Sequence, residues 1–102
     1  MITIFFSARA RESKDEDFRK VAERIVKLSR ADDGCLAYDF HQQKDDPRNF
    51  VLREQWRDQE ALTAHVEHLV REFGPPPEGG QLPASILDLC ESIDFKLYEP
   101  IE

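Results

Sequence analysis

The stretch Gly34-Cys35-Leu36-Ala37-Tyr38-Asp39-Phe40-His41-Gln42, the polar turn through Asp45-Asp46-Pro47, and Phe50-Val51-Leu52-Arg53-Glu54-Gln55-Trp56-Arg57 together decide the fold. Both flanks alternate apolar and polar residues and are rich in aromatic and β-branched types, the pattern of half-buried strands, and the acidic-proline turn reverses the chain between them. Leu36, Tyr38, Phe40 and Gln42 are expected on one side of the first strand, with Cys35, Ala37, Asp39 and His41 on the other. In the returning strand Phe50, Leu52, Glu54 and Trp56 oppose Val51, Arg53, Gln55 and Arg57.

Outward from this hairpin the period changes. On its N-terminal side Phe18, Val21, Ala22, Ile25, Val26 and Ser29 make one apolar stripe at helical spacing. Ser13 is expected to cap that helix with its hydroxyl, Asp15, Glu16 and Asp17 suit its positive end, and Asp32-Asp33-Gly34 ends it. Before it, Ile2, Ile4, Phe6 and Ala8 alternate with Thr3, Phe5 and Ser7 as a strand. On the C-terminal side Asp58 is placed to cap a second helix, whose stripe is Ala61, Leu62, His65, Val66, Leu69, Val70 and Phe73. Gly74-Pro75-Pro76-Pro77 stops that helix, and Pro75 to Pro83 holds four of the six prolines, too many for regular structure. A short helix over Ala84 to Leu89 and a last strand over Cys90 to Tyr98 complete an α+β chain. Its order, β-α-β-β-α-(α)-β, is that of the ferredoxin-like fold, an antiparallel sheet with helices on one face.

With 102 residues the chain reads as one domain, 1–102. A chain this size buries only about two-thirds of its unfolded surface, so the uncovered sheet face invites a second subunit and a homodimer is expected. The net charge of -7, with basic residues scattered among acids, argues against nucleic acid and against an anionic membrane surface as partners. The opening Met1-Ile2-Thr3-Ile4-Phe5-Phe6 lacks the basic leader and length of a signal segment, so a cytoplasmic protein is expected. Cys35 and Cys90 have neither disulfide nor zinc spacing and read as small buried residues.

His65 carries the first candidate chemistry. It lies on the apolar stripe, so its imidazole points at the sheet and can exchange a proton with a bound molecule, or bond structurally to a backbone carbonyl or to Glu54. Trp56 offers a flat wall and an indole N–H, or simply fills the core. Glu54, if buried, needs a partner or a proton, and His65 is the expected partner. Tyr38, Phe5 and Phe73 are candidates to line an aromatic cavity. No metal is expected, since His65, His68 and His41 do not form a convincing ligand set.

Taken together, Gly34-x3-Tyr38, Asp46-Pro47, Glu54-x-Trp56 and Ala61-Leu62-x-x-His65 resemble the antibiotic biosynthesis monooxygenase family, small proteins of the dimeric α/β-barrel superfamily. The resemblance implies two sheets packed face to face in a homodimer. It also implies oxidation of a small aromatic phenol or quinol by molecular oxygen without metal, flavin or haem, with His65 as acid/base or orienting group and Tyr38, Glu54, Trp56, Phe5 and Phe73 around the substrate. Non-catalytic binding of a hydrophobic metabolite, or isomerase or decarboxylase chemistry, are the alternatives on this scaffold. Two departures stand out. Leu69-Val70-Arg71 replaces the turn in which many relatives carry a second histidine, and the Pro75 to Pro83 insert is long enough to cover a pocket. The haem-degrading branch is disfavoured, because Ser7, His65 and Pro75 occupy its key places.

Overall fold

A computed structural model describes residues 1–101; Glu102, the last residue of the expected domain, lies outside the described residues. The elements are β1 (Ile2–Ala10), α1 (Asp15–Arg30), β2 (Cys35–Gln42), β3 (Asn49–Trp56), α2 (Gln59–Phe73), α3 (Ala84–Leu87) and β4 (Cys90–Tyr98). The sheet order is β2-β3-β1-β4 and every neighbouring pair is antiparallel, which makes this the ferredoxin-like α+β fold.

Register explains the core. Ile4 pairs with Glu54, Phe6 with Leu52 and Ala8 with Phe50, so the expected inward faces of β1 and β3 coincide. Phe18, Ala22, Ile25 and Ser29 of α1, with Ala61, Leu62, His65 and Leu69 of α2, close over them. α2 starts where Asp58 accepts the Ala61 N–H at 2.9 Å, and that bond holds the Asp58 carboxyl below its ordinary range. It stops at Gly74, whose φ of 101° a side chain would resist. The proline-rich segment then folds back: the Ala84 N–H reaches the Pro75 carbonyl at 3.0 Å, and the Ser85 hydroxyl donates to the Phe73 carbonyl at 2.7 Å.

Two local expectations are corrected. Ser13 does not cap α1; it takes a left-handed conformation (φ 70°) in the tight turn closed by Lys14 N–H to Arg11 O, and no side chain caps the helix. The acids of the first turn remain to meet the helix dipole. In β2, Cys35 pairs with Trp56 and Ala37 with Gln55, so Leu36 is an extra, bulged residue and stands exposed instead of sharing the face of Tyr38. The bulge follows Gly34, whose carbonyl accepts the Arg57 N–H at 2.8 Å. There φ is 85° and any Cβ would sit 2.5 Å from that of Ala61, so only glycine lets the chain pass beneath the start of α2.

Helix α3 covers only the start of β4, at buried Cys90, and the rest of that strand stays exposed. Ile93, Phe95 and Leu97 share the face of Ala8, Phe6 and Ile4, yet are 40–53% exposed. On the opposite, open face Phe5 meets Tyr98 edge-to-face at 5.5 Å beside exposed Val51, among the Arg53–Asp39 and Lys96–Asp94 ion pairs. Among the described residues no helix is long and apolar enough to cross a membrane.

Candidate functional site

Four polar or aromatic side chains meet between the sheet and α2. The strand alternation of β3 sends Glu54 and Trp56 to the same side, β2 adds Tyr38 opposite Glu54, and α2 lowers His65 onto them. The His65 and Trp56 rings lie 4.3 Å apart between centres and 31° from parallel, with Tyr38 edge-on to His65 at 5.5 Å and to Trp56 at 6.3 Å. All four are buried, Trp56 completely.

The polar pairing differs from the one expected. Glu54 is bonded not to His65 but to Trp56, whose indole Nε1–H donates to Oε1 at 2.6 Å. That indole is therefore not free for a ligand oxygen. A carboxyl buried with one neutral donor and no cation holds its proton tightly, and burial pushes Glu54 up to about 7, against the lowering effect of the indole bond. Burial, then the nearby Glu54 charge, also keep the Tyr38 phenol protonated well beyond its ordinary range.

His65 is bonded instead to Asp32, a residue that reads in sequence only as part of a helix stop. Asp32 sits in the loop between α1 and β2, held by its N–H to the Ser29 carbonyl and its carbonyl to the Cys35 N–H. Its Oδ2 lies 3.0 Å from His65 Nδ1, while its Oδ1 lies 2.7 Å from Nδ1 of His68. The usable signal was the His65/His68 spacing of three, which puts both rings on neighbouring rows of α2. Burial lowers the proton affinity of His65 and the Asp32 carboxylate partly restores it, leaving it below the ordinary value.

Two further candidates fall away from this cluster. Phe5 lies on the open face, paired with Arg53 and Lys96, so the sheet separates it from His65. The β1 alternation requires this, since Ile4 and Phe6 face the helices. Phe73 lies about 12 Å along α2 from His65, at the helical rise per residue, with the Arg24 guanidinium 4.8 Å above its ring. The chamber expected beneath His65 is occupied by Trp56 and Tyr38 themselves. Open clefts lie elsewhere, one of 680 Å³ at the sheet end beside Ser7, Arg9, His41 and Asn49 and one of 310 Å³ between α1 and β2, walled by Ala22, Val26, Phe40 and Phe50.

This arrangement has relatives. YcnE of Bacillus subtilis is 31% identical over 67 residues, covering 66% of this chain and 70% of YcnE. The protein sll1783 of Synechocystis is 26% identical over 66 residues, which cover 65% of this chain but only 45% of that protein's length. The crystal structure of PA3566 from Pseudomonas aeruginosa superposes with a TM-score of 0.79 at 28% identity, covering 99% of this chain and 94% of that one. The family model for antibiotic biosynthesis monooxygenase matches residues 1–72, from β1 through almost all of α2, and so takes in Tyr38, Glu54, Trp56 and His65. With β1, the β2–β3 hairpin and the histidine helix inside that match, the chain belongs to the antibiotic biosynthesis monooxygenase family.

Proposed function

We propose that this chain oxidises a small phenol or quinol with molecular oxygen and needs no metal, flavin or haem to do so. For a methylene activated by an ionised phenol, the carbon gives up two hydrogens and gains one oxygen atom as a carbonyl. The second oxygen atom leaves as water with those hydrogens, and the substrate supplies all four electrons. The protein's part is to remove the phenolic proton and exclude water. His65 is the group assigned to the proton, Trp56 and Tyr38 to the aromatic wall, and Glu54 to holding the indole in place.

The observation that supports this reading is the bond from His65 Nδ1 to Asp32 at 3.0 Å. A carboxylate accepting from Nδ1–H leaves Nε2 as the basic nitrogen, inside a cluster of buried rings. Access is the demand this reading makes. A flat ring between His65 and Trp56 needs about 7 Å between their planes, twice a normal contact distance, against 4.3 Å between ring centres here. Substrate entry therefore requires the two rings to part.

That same ring contact favours a second reading, a non-catalytic homodimer binding a small hydrophobic metabolite, with His65 and Asp32 tying α2 to the α1–β2 loop. Oxygen uptake with purified protein and a panel of hydroquinones and anthrones separates the two. Uptake above the buffer rate supports the oxygenase; no uptake, with tight binding of the same compounds, supports the binder.

The homodimer is part of the proposal, supported by the exposed Phe5, Val51 and Tyr98 of the open sheet face and by family membership. Sedimentation equilibrium is expected to return twice the chain mass of 11.9 kDa. A single-chain mass at micromolar concentration would rule that assembly out.

A further inference from the structure

Asp32 divides one carboxylate between two imidazoles. Because an ionised carboxylate only accepts, the contacts to Nδ1 of His65 and Nδ1 of His68 require both rings to carry hydrogen on Nδ1 when neutral, leaving each Nε2 basic. The three groups form a line from interior to surface: the His65 side chain is 2% exposed, Asp32 17% and His68 28%, with His68 Nε2 3.9 Å from Oε1 of the exposed Glu72. His68 is open to water at one edge, whereas burial opposes a charge on His65. A proton on His68 pairs with the Asp32 charge and also places a like charge three residues from His65 on the same helix.

We propose that Asp32 and His68 are positioning residues for His65: Asp32 holds it in the Nδ1–H form so that Nε2 is the base, and His68, by sharing that carboxylate, sets how readily His65 takes a proton. This rests on the oxygenase reading for its purpose but not for its test. The other ionisable groups packed around the cluster are Tyr38 and Cys35 on β2 and Glu54 on β3. Arg30 of α1 is engaged elsewhere, with the Tyr38 carbonyl and Asp39. Tyr38 stays protonated across neutral pH, and Glu54, which gains its charge at about 7, is bonded to the Trp56 indole and not to His65; Asp32 alone is bonded to His65 Nδ1, and His68 is linked to that ring through the same carboxylate.

The test is an NMR titration of the imidazole nitrogens in the whole chain. In the parent protein both rings are expected as Nδ1–H tautomers at high pH, with His65 responding to the His68 titration. In His68→Gln, at a part-exposed position that tolerates the change, the His65 midpoint is expected to rise by roughly one pH unit or less, since a like charge has been removed. In Asp32→Asn it is expected to fall, and one ring is expected to switch to the Nε2–H form, because an amide offers one acceptor and one donor where the carboxylate offered two acceptors. Unchanged His65 midpoints and tautomers in both folded variants would overturn the proposal. If substrate turnover is found, the acid limb of the kcat/KM profile moves upward with the His68→Gln midpoint. If none is found while the NMR linkage holds, the oxygenase reading fails and this one stands.

Discussion

His65→Ala is expected to lower the turnover of a hydroquinone or anthrone by about 10²–10⁴-fold, the usual contribution of a placed general base. This corresponds to roughly 3–5 kcal/mol of transition-state stabilisation. The deficit should shrink as the pH rises above the phenol's own ionisation, because the substrate then arrives without the proton that His65 would remove. Sign follows from environment. Burial disfavours the imidazolium, so His65 is neutral and able to accept a proton through neutral pH, and activity falls only on the acid side of its ordinary value near 6.5. The fold should tolerate the change, since Asp32 keeps its 2.7 Å contact with His68. Initial rates of oxygen consumption between pH 6 and 10, with circular dichroism as the control for folding, provide the measurement. A folded variant with the parental rate would remove His65 from the chemistry and favour the binder.

Glu54→Gln is expected to change the pH dependence of stability by a comparable energy. In the folded chain this carboxyl is raised to about 7, whereas in the unfolded chain it titrates near its ordinary value of about 4.3. Between those values the folded state holds a proton that the unfolded state has released, so the stability supplied by Glu54 is complete at low pH and is lost as pH rises through about 7. The gap of about 2.7 pH units at about 1.4 kcal/mol each makes this loss roughly 4 kcal/mol in full. Glutamine cannot ionise, and its oxygen still accepts the Trp56 N–H, so the variant should gain about 3 kcal/mol on the parent between pH 4.5 and pH 8. His65 contributes the opposite slope: its folded affinity is depressed, so its stability is present above about 6.5 and lost as pH falls below. It is present in both proteins and cancels in the difference. Urea unfolding of both at pH 5 and pH 8 gives the comparison. A difference independent of pH would mean that the Glu54 carboxyl titrates in the fold as it does in water.

The elements of this protein were legible because each is written in a local period. Two-residue alternation placed Phe50, Leu52, Glu54 and Trp56 on one side of β3. Three- and four-residue spacing put His65 on the buried stripe of α2, and Asp58 marked the start of that helix. Single capping contacts were less certain: Ser13 has the right chemistry for a cap, but the turn out of β1 needed a left-handed residue at that position. Leu36 shows a similar limit, since one bulged residue shifted the face of Cys35 while Tyr38 and Phe40 stayed where alternation put them.

Sequence alone determined which residues belong to strands and helices, that His65 and Trp56 point into the sheet-helix layer, and which family the hairpin resembles. Tertiary structure alone decided whom they meet. Asp32 reaches His65 across 33 positions because the α1–β2 loop passes beneath α2, Trp56 rather than His65 satisfies Glu54, and aromatic rings fill the space where a cavity was expected. Local periodicity reports which way a side chain faces, whereas a hydrogen-bond partner or a void depends on how closely separate elements approach, and that distance is set only when the whole core packs.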